Sequence, residues 1–169
     1  MVLYTPVKPS QQKLYLLVFC GMVAVIGSAL AFEHIGGYLP CKLCLAQRQP
    51  WYLGIPIAGL ALLAVLLKLP PLIARGLLLL VGIILFYSLY LGINHAGVEW
   101  SWWEGPSDCG VVEGGIAKNT GNFLEQLEQT VPPSCDEASL RMFGLSFAGW
   151  NAVVSTVLSF IAFSTALKR

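Results

Sequence analysis

Residues 14–32 read LYLLVFCGMVAVIGSALAF, nineteen positions without a charge. A helix rises about 1.5 Å per residue, so roughly 20 apolar residues cross a bilayer core of about 30 Å. Three more such runs follow. Trp51 to Leu67 is uncharged and closes at Lys68; Gly76 to Ile93 reads GLLLLVGIILFYSLYLGI; Leu145 to Leu167 is free of charge throughout. The second run is slightly short unless its helix begins before Pro50, near Cys44. The pattern predicts an all-α membrane protein, a four-transmembrane-helix bundle forming one membrane domain over residues 1–169. Its helices are expected at about 14–32, 45–67, 73–93 and 145–167, with two outward loops at 33–44 and 94–144.

The composition agrees. Charged residues make up 11% and apolar residues 56%, against roughly 25% charged in a soluble domain. A net charge of +1 gives no concentrated basic surface, so nucleic acid is not a predicted partner. Eight of the nine acidic residues lie between Glu99 and Glu137. Basic residues orient the bundle. Lys8, Lys13, Lys68, Arg75, Lys168 and Arg169 fall on one side, predicted cytoplasmic with both termini. Lys42, Arg48, Lys118 and Arg141 fall opposite. Ala29-Leu30-Ala31 resembles a signal-peptidase site, but the run before it exceeds the usual signal core of about 7–15 residues. The segment is read as an anchor.

The long second loop carries its own signals. Asn122-Phe123-Leu124-Glu125 fits a helix cap with a glutamate three residues on. Phe123, Leu124, Leu127 and Val131 recur at helical spacing, which predicts a short amphipathic helix along the lipid surface. Trp100, Trp102 and Trp103 suit the membrane interface or simply anchor the third helix.

Cysteines carry the chemistry. Cys20 lies mid-membrane and reads as a small packing residue. Cys41 and Cys44 stand in the first outer loop, in Pro40-Cys41-Lys42-Leu43-Cys44-Leu45-Ala46-Gln47-Arg48; Cys109 and Cys135 stand in the second. Outer loops in bacteria face an oxidising compartment, where cysteines pair. C-x-x-C is open to three readings: a redox dithiol, half a zinc site, or an inert clasp. Zinc is disfavoured, because 25 residues separate Cys109 from Cys135 and no histidine stands at knuckle spacing. No metal is predicted. Two static disulfides stapling the loops are the plainer alternative, although so short a ring constrains little chain.

A thiolate is the nucleophile, and a helix N-terminus or a nearby cation favours it. Cys44 is expected at the start of the second helix, with Arg48 at i+4 on the same face. Arg48 also has a bland reading, snorkelling to headgroups. Oxidising a dithiol releases two electrons and two protons. Neither a haem C-x-x-C-H nor a G-x-G-x-x-G fingerprint is present. In a bilayer, a lipid-soluble quinone is the acceptor left by elimination.

Four spans, C-x-x-C-x-x-x-R opening the second helix, and a cysteine pair before the fourth resemble the bacterial DsbB family. These inner-membrane enzymes reoxidise DsbA with quinone. The resemblance covers nearly the whole chain by architecture. It implies a protein-disulfide oxidoreductase (thiol:quinone), with ubiquinone or menaquinone as cofactor. It further implies a DsbA-like periplasmic thiol oxidase as partner, with the quinone pool and membrane lipid around it. On matching positions, Cys109 takes the attack of the partner thiolate and Cys135 passes the oxidation to Cys41. Cys44 then meets the quinone with Arg48 beside it. His95, ending the third helix, corresponds to a histidine the family often has near quinone, though a histidine there also compensates the helix dipole. Asn151 and Ser155 read as helix-packing residues. Gln47, before Arg48, is plain where a charge would be unsurprising. Two rivals stand beside this reading: a vitamin K epoxide reductase-like protein, whose C-x-x-C belongs late in the bundle, and a non-enzymatic scaffold with stapled loops.

Overall fold

The computed structural model describes residues 2–106, 135–136 and 138–168. Cys109 and the expected amphipathic helix around residues 122–131 lie outside the described residues. Among these, four long helices form the bundle: α1 (Pro9–His34), α2 (Lys42–Leu66), α3 (Pro71–Glu99) and α4 (Phe147–Leu167). All four are long and apolar enough to cross a membrane.

The helix ends show why the chain divides where it does. Pro9 and Pro71 occupy first turns, where a missing N–H costs nothing. α2 starts at Lys42 and runs on through Pro50 and Pro56, so Pro50 does not delay it. That start puts the whole C-x-x-C on the first turn. Before α4, strands β1 (Arg141–Met142) and β2 (Leu145–Ser146) make a small hairpin. Its two turn residues, Phe143 and Gly144, both have positive φ (53° and 84°), as a tight hairpin's twist requires. Ser146 then caps α4 by accepting from the Gly149 N–H at 3.1 Å.

Helices α3 and α4 approach closely where side chains are small. A Cβ on Gly92 would stand 2.9 Å from the Ala152 nitrogen, and one on Gly82 would meet the Phe163 ring. Ser155 Oγ donates to Ser88 Oγ (3.1 Å) and Ser159 Oγ to the Gly82 carbonyl (3.2 Å), the polar stitching expected between helices in lipid. The core joins Tyr15, Val18 and Met22 of α1 to Trp51 and Ala58 of α2, Leu78 and Leu85 of α3, and Leu158 and Ala162 of α4. Outer faces remain apolar, with Leu17, Leu60, Phe86 and Phe160 exposed. Cys20 is among the exposed residues, so it faces outward and does not pack; its neighbour Gly21 is the residue against Leu158.

At the end opposite the C-x-x-C, Arg75 is 0% exposed. Its guanidinium donates to the carbonyls of Thr5 (3.1 Å), Ala166 (2.8 Å) and Lys168 (2.7 Å), and to Gln11 Oε1 (3.4 Å). Gln11 Nε2 also donates to the Lys168 carbonyl. One buried cation thereby satisfies the open carbonyls ending α4 and ties that end to the starts of α1 and α3.

Candidate functional site

Cys41 is the N-cap of α2. Its backbone is extended, and its Sγ accepts from the Cys44 N–H at 3.1 Å, a task more often given to serine or aspartate. The residue is 2% exposed. On its other side stands His95 of α3, with Nε2 at 3.7 Å. The Cys44 thiol, donating to this sulfur, holds the Cys41 thiol down to about 5; burial opposes that shift and His95 adds to it. The sequence assigned the helix-start advantage to Cys44, but the cap position gives it to Cys41.

Behind His95 lies a polar chain that the sequence did not single out. Gln47 Nε2 donates to His95 Nδ1 at 2.5 Å, and Asn151 Nδ2 of α4 donates to Gln47 Oε1 at 2.7 Å. Trp51 Nε1 donates to Asn151 Oδ1 at 3.0 Å. Glu99, one turn beyond His95, has Oε1 at 3.7 Å from Nε2 and is almost wholly buried. Its other oxygen has no hydrogen-bond partner among the described residues. A polar residue inside an apolar run is the available signal for Asn151; for Glu99 it is the i+4 spacing from His95.

Cys44 faces another way. It lines a cavity of about 300 Å³ between α1, α2 and α4, together with Arg48, Gln47, Trp51 and Asn151. Phe32, Tyr38 and Phe147 form an edge-on aromatic group on the same wall. Arg48 does not point its charge at Cys44 in isolation: its Nη1 donates to Glu33 Oε2 of α1, and both side chains are partly buried on the cavity wall. The structure thus brings Cys41, Cys44, Arg48 and His95 to one end of the bundle. His95 stands against Cys41, on the side away from the cavity.

Cys41, Cys44 and Cys20 are free thiols, whereas Cys135 is buried beside Cys41 and Val98 and is disulfide-bonded. The sulfurs of Cys41 and Cys44 and a nitrogen of His95 all lie within 4.8 Å of one another, close enough for a thiophilic cation. Trp103 packs across the end of α3, its ring where a Cβ on Gly97 would sit, and its Nε1 donates to the Asn94 carbonyl at 3.0 Å.

The chain is similar to known proteins along most of its length. The family model described as Disulfide bond formation protein DsbB matches residues 11–165. Disulfide bond formation protein B of Marinobacter nauticus is 31% identical over 163 residues, covering 92% of this chain and 90% of that protein. The protein of the same name from Polaromonas naphthalenivorans is 24% identical over 159 residues, covering 89% and 88%. Disulfide bond formation protein B 1 of Pseudomonas aeruginosa is 46% identical over 39 residues, a match spanning 23% of this chain and 24% of that protein. No solved structure matches the chain.

Proposed function

The chain belongs to the DsbB family, and on that premise we propose that it oxidises a DsbA-type periplasmic thiol oxidase and delivers the two electrons to a membrane quinone. One observation carries the reading: a free dithiol heads α2, and its second sulfur lines an apolar cavity with Arg48 on the wall. A flat dicarbonyl ring suits that cavity, with the Arg48 guanidinium as an N–H donor within its lining. A quinone bound there supplies a two-electron, two-proton acceptor.

The chain's own part is thiol–disulfide exchange. A partner thiolate attacks Cys109 of a Cys109–Cys135 disulfide and expels Cys135 as thiolate. Cys135 attacks Cys41 of a Cys41–Cys44 disulfide and expels Cys44 as thiolate into the cavity. The partner's second thiolate attacks its own mixed sulfur and frees Cys109, which then attacks the Cys41–Cys135 bond and leaves Cys41 and Cys44 reduced. Net, two partner thiols become one disulfide, and the two electrons and two protons leave from the Cys41–Cys44 dithiol. His95 supports Cys41, and Arg48, on the cavity wall, would hold an oxygen of the acceptor. The same reading sets the bundle in the bacterial inner membrane, termini cytoplasmic and thiol loops periplasmic. Free thiols at Cys41 and Cys44 favour it over a stapled scaffold.

The test follows quinone absorbance with purified protein, a water-soluble quinone and reduced DsbA-type oxidase. Turnover by the native chain that stops in Cys44→Ser is the expected result. No turnover by the native chain, with its outer thiols untouched by the partner, would overturn the proposal.

A further inference from the structure

The polar chain behind Cys41 has a direction, and two groups that cannot reverse set it. The Trp51 indole N–H only donates, and it gives to Asn151 Oδ1 at 3.0 Å. The Ser88 carbonyl only accepts, and it takes Asn151 Nδ2 at 3.3 Å. Asn151 therefore presents its NH2 to Gln47, whose Oε1 accepts at 2.7 Å. Gln47 must then offer its own NH2 to His95 Nδ1, at 2.5 Å. An accepting Nδ1 carries a lone pair, so the proton of the neutral ring sits on Nε2, 3.7 Å from Cys41 Sγ.

We propose that Asn151 and Gln47 are positioning residues for the redox pair: they set the tautomer of His95 so that its Nε2–H is aimed at the Cys41 sulfur. A donor held there stabilises Cys41 as a thiolate each time its disulfide opens. Gln47, Trp51 and Asn151 also line the cavity, so a single chain of hydrogen bonds joins the acceptor's wall to the thiol that faces away from it. The same polarity argues against a cation among Cys41, Cys44 and His95, since the nitrogen facing the sulfurs carries a proton in place of a lone pair. The inference rests on the proposed function only in taking Cys41 as reactive.

Among the described residues, the groups that titrate around Cys41 are Cys44 on its own helix and His95 and Glu99 on α3; Cys135 is held in a disulfide. Two isosteric variants reverse the chain's polarity, the one at Asn151 also leaving the Ser88 carbonyl without that donor. In Asn151→Asp an ionised carboxylate has nothing to donate, so Gln47 turns its NH2 toward it and its carbonyl toward His95. In Gln47→Glu the carboxylate accepts from both sides. Each forces the His95 proton onto Nδ1.

The measurement is NMR of isotope-labelled histidine in reduced protein, in a His34→Gln background that leaves His95 the one histidine. Thiolate absorbance, taken as the difference from the same chain carrying Cys41→Ser, is followed against pH. The native chain is expected to show the proton on Nε2. Both variants are expected to show it on Nδ1, with the Cys41 midpoint raised by about one pH unit, a tenfold loss of thiolate below it. A native ring protonated on Nδ1 would overturn the proposal, whatever the variants do. So would variants that keep both the Nε2 proton and the native midpoint. Neither readout needs turnover, so this proposal and the proposed function can fail separately.

Discussion

The backbone nitrogen of Cys44 donates to the Sγ of Cys41 across 3.1 Å, so the first cysteine of the pair caps the helix on which the second one rides. The cap sulfur meets the positive end of the helix dipole, a donated N–H and the His95 ring. The second sulfur is left to the cavity. The two thiols of one C-x-x-C thus have different surroundings, which suits the proposed relay.

That asymmetry gives the reduced protein a pH-dependent stability. Between the folded value of about 5 and the ordinary 9.0 for Cys41, the unfolded chain holds a proton that the folded chain has released. Stability rises with pH across this window and is lost as pH falls toward the lower value. The melting temperature of the reduced protein should therefore climb between about pH 5 and about pH 8. Cys41→Ser should flatten the climb. An equal slope in the variant would mean another group is responsible.

Arg48 is held by Glu33 on the cavity wall. Arg48→Met removes a charged donor from the proposed acceptor site, a loss of about 1.5–3 kcal/mol. The KM for quinone should rise about tenfold or more, with the rate of mixed-disulfide formation with the partner little changed. Steady-state kinetics with each substrate varied in turn separates the two.

Arg75 is predicted to matter for stability alone. Arg75→Met leaves the Ala166 carbonyl without its buried donor and the Lys168 carbonyl with Gln11 alone, at a cost of about 1–3 kcal/mol. Unfolding in mixed micelles measures it. An unchanged midpoint would show that other groups satisfy the end of α4.

Gly92→Ala tests the α3–α4 contact. The added carbon would lie 2.9 Å from the Ala152 nitrogen, so the helices must separate, at about 1–3 kcal/mol. Gly27→Ala, where nothing lies within 4 Å, is the control and should not lower the melting temperature.

Hydropathy and cysteine spacing were enough to find the four helices, the C-x-x-C on the second and the arginine one turn on. Each of these is a property of neighbours in the chain: a bilayer demands a continuous apolar run, and helix periodicity puts positions 44 and 48 on one face. Only the tertiary structure decided which cysteine caps α2, where Arg75 goes, and that Gln47 and Asn151, 104 positions apart, share a hydrogen bond. The sequence put Arg75 at one end of the bundle and read Asn151 as a packing residue, but named no partner for either, because composition says nothing about which helix faces meet. Those meetings are set by side-chain volume and by the need of every buried polar group for a partner, and they depend on all four helices at once.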